Sequence, residues 1–143
     1  MGRVSRSSTE AERAERAERG VEVSFGFSQR RKKKLSLQLY EAVSSLEAEV
    51  GPVDVLLANA GSSEPGRFVD QEPEVFERAM RLNYFGALNA VRAALPRMLS
   101  RGEGKVVLVA SAAGVCGFAG FSSYAPTKWA LRGFGDCLRN ELL

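Results

Sequence analysis

Apolar residues recur at helical spacing through residues 35–50. Leu39, Val43, Leu46 and Val50 fall three or four apart, which predicts an amphipathic helix with one apolar stripe. Gly51-Pro52 stops it. Val53-Asp54-Val55-Leu56-Leu57 is then a short apolar run, the pattern of a strand buried on both faces in a parallel sheet. A loop follows over residues 62–71, where Pro65-Gly66 signals a turn. Pro73 opens a second helix, with Phe76, Met80, Tyr84, Leu88, Val91 and Leu95 along its apolar side. Pro96 is expected to end or kink it. Gly102 and Gly104 break the chain before a second apolar run at residues 105–110. A third helix is predicted to start near Tyr124, capped by Ser122 or Ser123, with Pro126 in its first turn.

The order helix, strand, helix, strand, helix predicts a parallel α/β sheet with right-handed crossovers. Such sheets bind ligands beyond the carboxyl ends of their strands. Asn59-Ala60-Gly61 follows the first strand, Ser111 ends the second and Tyr124 opens the next helix. All three therefore belong to one edge of the sheet.

Residues 1–34 read differently from 35–143. Ala-Glu-Arg repeats three times from Ala11, Glu12 and Glu15 stand four residues before Arg16 and Arg19, and Thr9 with Glu12 can form a capping box. This predicts a short charged helix ended by Gly20, then a half-buried strand, Val21-Glu22-Val23-Ser24-Phe25. Arg30-Arg31-Lys32-Lys33-Lys34 comes next and reads as a solvated loop or as sequence foreign to the fold. The alternative is a patch for nucleic acid or an anionic membrane. Nearby aromatics that would stack bases are missing, which argues against nucleic acid.

Composition narrows the chemistry. The chain has 143 residues, enough for one domain with a usable core, and a net charge of +3. It has no His, so proton transfer falls to Tyr, Lys, Ser, Asp or Glu, and no metal site is expected. Cys116 and Cys137 do not form a CxxC pair and read as reduced, partly buried thiols of an intracellular protein. No run reaches the ~20 apolar residues of a membrane helix, and the charged N-terminus lacks a signal-peptide pattern.

Tyr124 and Lys128 stand four residues apart in Tyr-Ala-Pro-Thr-Lys, so a helix places them on one face. An ammonium beside a phenol stabilises the phenolate and pulls its pKa down from about 10. Ser111, thirteen residues earlier, brings a hydroxyl to the same edge. A Tyr, a Lys and a Ser so placed suit proton transfer to or from an alcohol or carbonyl oxygen. Taken singly, Tyr124 reads more readily as a packing aromatic and Lys128 as a solvated helix residue.

Four segments carry a resemblance that joins them. Leu57-Ala58-Asn59-Ala60-Gly61, Leu82-Asn83-Tyr84-Phe85-Gly86, Val109-Ala110-Ser111-Ala112-Ala113-Gly114 and Tyr124 with Lys128 stand in the order and at the spacings of the short-chain dehydrogenases/reductases, from about Gly51 to Leu143. The resemblance implies a three-layer Rossmann-like, doubly wound parallel sheet. It also implies ketone reduction by hydride transfer from NADPH. Ser111 then steadies the carbonyl oxygen, Tyr124 is the general acid and Lys128 tunes Tyr124 and binds the nicotinamide ribose. Asn83 holds a proton-relay water, and Asn59 and Gly61 line the cofactor site, to which Tyr124 and Lys128 also belong. The alternative for Gly61 is a turn residue chosen for its backbone freedom.

The segment from Gly117 to Tyr124, with Ala130-Leu131-Arg132-Gly133, most resembles the 3-ketodihydrosphingosine reductases of sphingolipid synthesis. That match implies a lipid-like ketone substrate, the cytosolic face of the endoplasmic reticulum membrane, and homo-oligomers paired through the two long helices. Phe118, Phe121 and Trp129 are candidates to face the lipid, with core packing or a subunit interface as the alternative.

The chain departs from the family pattern in several respects, beginning with Ala58, which stands where the family's segment has its first Asn. Before Gly51 the glycines are Gly2, Gly20 and Gly26, so no glycine-rich turn opens a helix to hold a pyrophosphate. The Asp expected after the third strand is also missing. The expectation is a truncated domain lacking its first strand, its glycine-rich loop and its C-terminal part, with an open strand edge. A catalytically inactive fragment, or a partner of a full-length relative, stays open as a reading.

Overall fold

The computed structural model describes residues 29–142, with side chains from Leu37 onward. The capping box, the Ala-Glu-Arg helix and the strand predicted at residues 21–25 lie outside the described residues. Helix α1 runs Gln29–Val50, strand β1 Val55–Ala58 and helix α2 Pro73–Met80. A π-helical turn, Arg81–Gly86, joins α2 to α3, Ala87–Arg101. Strand β2 is Lys105–Leu108, and α4 is Ala125–Leu142.

β1 and β2 pair in parallel, with Val55 opposite Lys105 and Ala58 opposite Leu108. The connection through α2 and α3 makes a β-helix-β unit, the short form of the doubly wound plan. All described helices cover one face. Ala58, Ala87 and Leu131 form a small core between sheet, α3 and α4, edged by Leu108 and Phe134.

The opposite face stays open: Val55, Leu57 and Val107 are all exposed. The expectation of a strand buried on both faces is therefore corrected. β1 alternates between covered and exposed positions, because no described element packs on its second side. Its free edge is likewise unpaired among the described residues.

Three local expectations also change. α1 begins at Gln29, so Arg30–Lys34 continue a helix and are not a loop; Arg and Lys are good helix formers even without an apolar stripe. Leu46 and Val50 are exposed, because α1 turns Tyr40, Ser44 and Glu47 toward α3. Pro96 does not end its helix. The helix continues to Arg101 and stops at Gly102, whose φ of 70° closes it in the left-handed conformation.

A single arginine fastens α1 to α3. Arg97 Nε lies 2.9 Å from Glu47 Oε2, and Nη2 donates to Ser44 Oγ at 3.1 Å. Nη1 donates back to Ala93 O at 3.2 Å, and the guanidinium sits 4.6 Å from the Tyr40 ring centroid. Glu47 also accepts from Val53 N, tying the clamp to the entry of β1. Arg97→Ala is expected to cost about 2 kcal/mol, since it leaves a largely buried carboxylate without its partner. The exposed Arg67–Asp70 pair is the control: Arg67→Ala should change stability by under ~0.5 kcal/mol. Urea midpoints of the two variants check both values. Equal losses would show that the clamp adds nothing beyond a surface ion pair.

Candidate active site

Strand β2 ends at Leu108, immediately before Val109, and the chain then turns through Ser111 into a 3-10 turn, Ala112–Gly114. Ser111 has φ 73° and ψ 161°, a region that side chains other than glycine avoid. Its hydroxyl accepts from Ala113 N at 3.2 Å, so the side chain caps its own turn. Gly114 lets this turn meet α4 closely: a Cβ there would lie 3.1 Å from Lys128 O.

The strain predicts an inverted stability order. Glycine ordinarily costs about 0.5–1 kcal/mol relative to alanine in regular structure. At position 111 the sign should reverse, with Ser111→Gly about 1–2 kcal/mol more stable than Ser111→Ala. Thermal unfolding of the two variants decides it. An alanine variant as stable as the glycine one would show that the native turn is unstrained.

Lys128 lies in the second turn of α4 and is 4% exposed. Its ammonium donates to Val109 O at 2.8 Å and sits 5.6 Å from the centroid of the Tyr124 ring. The lysine thus reaches from the helix to the end of β2, beside the phenol. Tyr124 immediately precedes α4, its N–H bonded to Phe121 O at 3.0 Å and its ring edge-on to Phe121. Neither Ser122 nor Ser123 is seen to cap α4. Ser123 Oγ donates to Glu64 O at 3.3 Å, and Ser122 Oγ is buried without a partner.

Asn83 lies in the π-helical turn and is 1% exposed. Turns of this kind displace one residue from the regular helical ladder and often occur at functional sites. Its carboxamide is taken up by three bonds. Oδ1 accepts from Ser62 N at 2.9 Å, and Nδ2 donates to Ser62 O at 3.0 Å and to Thr127 Oγ1 at 3.1 Å.

Gly61 completes the cluster. A Cβ on it would stand 3.0 Å from Asn83 Oδ1 and 3.6 Å from Lys128 Nζ. Its φ is not in the left-handed range, so this glycine serves close approach and not backbone freedom. Asn59 lies just before it, exposed, with its N–H bonded to Leu57 O.

The structure therefore brings Gly61, Asn83, Tyr124 and Lys128 together, with Ser111 at the head of the adjoining turn. Thr127 was not singled out from the sequence, although it lies between two residues that were. Among the described residues no group of three or more His, Cys, Asp or Glu is placed to hold a metal. Cys116 and Cys137 are both exposed, not partly buried. An apolar cleft of about 460 Å³ adjoins the site, lined by Phe118, Phe121, Ser122, Ala125, Pro126 and Trp129. A larger groove of about 860 Å³ between the end of α3, β2 and α4 includes none of the site residues.

The family model described as short chain dehydrogenase matches residues 6–143. The chain belongs to the short-chain dehydrogenase family. Over 94 residues it is 44% identical to a 3-ketodihydrosphingosine reductase of Dictyostelium discoideum, covering 64% of this chain and 28% of that protein. Over 105 residues it is 39% identical to the Bos taurus protein of the same name, covering 73% of this chain and 32% of the relative. The chain thus spans about a third of the length of the curated relatives it matches. Among solved structures of the family, a short-chain dehydrogenase from Streptomyces avermitilis superposes with a TM-score of 0.71 at 36% identity, over 75% of this chain and 40% of the other. A gluconate 5-dehydrogenase from Burkholderia cenocepacia, in complex with NADP and tartrate, gives 0.68 at 30% identity, over 73% and 43%. These matches bear out the parallel α/β fold and the family read from the four segments.

Proposed function

We propose that these residues form the catalytic portion of an NADP-dependent ketoreductase whose substrate is 3-ketodihydrosphingosine or a similar long-chain ketone. The observation that carries the proposal is the buried Lys128 ammonium, held at the end of β2 and beside the Tyr124 ring. The names of the curated relatives support the substrate, and the cleft lined by Phe118, Phe121 and Trp129 offers it apolar contact.

The described residues fit the nicotinamide-ribose end of the cofactor. Lys128 has three N–H donors, and Val109 O engages one of them. Asn59 and Gly61 lie on the loop beside it. No glycine-rich turn stands among the described residues to take the pyrophosphate. When bound, the nicotinamide supplies the hydride.

The chain's own residues then handle the oxygen. Ser111 Oγ accepts from Ala113 N and so keeps its own proton to donate to the carbonyl oxygen, a bond worth roughly 10²–10³ in rate for a donor of this kind. The Tyr124 phenol gives its proton to that oxygen. Lys128 holds positive charge beside the phenolate that remains. Asn83, with its side chain committed to Ser62 and Thr127, holds the relay water by the same family resemblance.

By the same reading the protein works at the cytosolic face of the endoplasmic reticulum membrane and pairs through α2–α3 and α4. No described helix is long and apolar enough to cross a membrane.

The test is NADPH oxidation by the purified protein with 3-ketodihydrosphingosine in mixed micelles, read by absorbance and by mass of the 3-hydroxy product. NADPH binding to these 143 residues is expected to be weak, so the cofactor is raised until its fluorescence titration saturates. Product that depends on the long-chain ketone supports the proposal. Saturated cofactor with no product would overturn it.

A further inference from the structure

From the bonds around one hydroxyl we infer that Thr127 is a positioning residue, which locks the helix start carrying Tyr124 to the π-helical turn carrying Asn83. The inference rests on the ketoreductase reading for its purpose, though not for its geometry. Thr127 is 1% exposed. Its Oγ1 donates to Tyr124 O at 2.7 Å and accepts from Asn83 Nδ2 at 3.1 Å. A hydroxyl has one proton. Giving it to Tyr124 O leaves only an acceptor for the asparagine, which must present nitrogen. Ser62 imposes the same orientation independently, with its N–H on Oδ1 and its carbonyl on Nδ2. The two constraints agree, so the amide has one orientation and the network one direction.

Tyr124 O receives both the N–H and the hydroxyl of Thr127, at 3.0 and 2.7 Å. A side chain bonding back along its own helix ordinarily does little more than bend it. Here the same hydroxyl continues to another element. The bonded chain runs from Ser62 in the loop after β1, through Asn83, to Thr127 and the Tyr124 peptide. The next residue is Lys128. Three segments far apart in sequence are thus set in register behind the phenol and the ammonium.

The test uses the whole protein, labelled with ¹⁵N at asparagine, in wild type, Thr127→Val and Thr127→Ser. In wild type the Asn83 side-chain amide should exchange with solvent roughly 10²-fold more slowly than that of exposed Asn59. Thr127→Val keeps the shape and removes the acceptor. It should speed the Asn83 exchange about tenfold or more and shift its resonances, while Thr127→Ser restores both. Met98→Ala, a buried change in α3, lowers stability without touching the network and should leave the Asn83 signals in place. Where ketone reduction is measurable, Thr127→Val should lower kcat with little change in KM, and Thr127→Ser should recover it.

Wild-type Asn83 exchange as fast as that of Asn59 would overturn the inference, whether or not the valine variant folds. So would a valine variant with unchanged Asn83 signals, or a serine variant that fails to restore them. Altered Asn83 exchange in a protein that reduces no ketone would sustain the positioning and sink the ketoreductase reading instead.

Discussion

Tyr124→Phe should lower ketone-dependent NADPH oxidation by about 10²–10⁴-fold, the usual contribution of a positioned general acid. The change removes one oxygen and little else. The ring is placed by its edge contact with Phe121 at 6.1 Å, by the bond from Tyr124 N to Phe121 O, and by the two bonds that Tyr124 O accepts from Thr127. None of these uses the phenol oxygen, so the phenylalanine variant should fold alike and unfold at a similar temperature. Lys128 keeps its bond to Val109 O, and NADPH titration should move far less than turnover. The loss should therefore fall on kcat, as expected when an interaction made in the transition state is removed. The measurement is steady-state kinetics with the cofactor saturated. Turnover within tenfold of wild type would take Tyr124 out of the chemistry and leave it a packing aromatic at a helix start.

What made this residue legible in the sequence was local spacing. Tyr124 and Lys128 are one helical turn apart, and Ser111 ends an apolar run, so each could be placed on an element before any contact was known. The parallel order of β1 and β2 followed from helices alternating with strands. The contacts behind the site were not legible in that way. Asn83 meets Ser62 across 21 residues and Thr127 across 44, and no periodicity encodes such pairs. The resemblance singled out Gly61 and Asn83. The fold adds the reason that Gly61 is small, which is to leave room for the Asn83 and Lys128 side chains. The signal for Thr127 was its place beside Lys128 on a buried helix face, where a hydroxyl needs a partner.

The errors have local causes as well. The apolar stripe places the start of α1 at Leu35, whereas helix formation in Arg30–Lys34 needs no stripe. Pro96 reads as an end or a kink, and the helix does not end there, because an exposed proline in a well-packed helix is tolerated. Val91, Ala93, Ala94 and Met98 bury the surface that holds the helix on course through it. The sheet's open face could not be foreseen from the composition of β1, since Val55 and Leu57 are as apolar as strand residues covered on both sides.

Asn83→Leu should be among the most destabilising single substitutions in the chain, at about 3 kcal/mol. Leucine keeps the branched outline of asparagine and replaces its two polar atoms with bulkier methyls, so no cavity opens and the loss is chiefly polar. Three bonds disappear together, from Ser62 N, to Ser62 O and to Thr127 Oγ1, each worth about 1 kcal/mol. The Ser62 groups lie near solvent, and water can recover part of their share. Thr127 cannot turn its hydroxyl outward, because its proton is already on Tyr124 O and the residue is buried. A domain of this size is stable by only about 5–15 kcal/mol, so this one side chain carries a sizeable fraction of the total. Urea unfolding should show a lower midpoint with an unchanged slope, the mark of lost stability in an otherwise similar fold. Asn83→Ala adds a cavity and should lose more. If the leucine variant stays within about 0.5 kcal/mol of wild type, the three bonds are exchanged for water at no cost. The loop after β1 and the start of α4 would then need another link to hold the phenol and the ammonium in place.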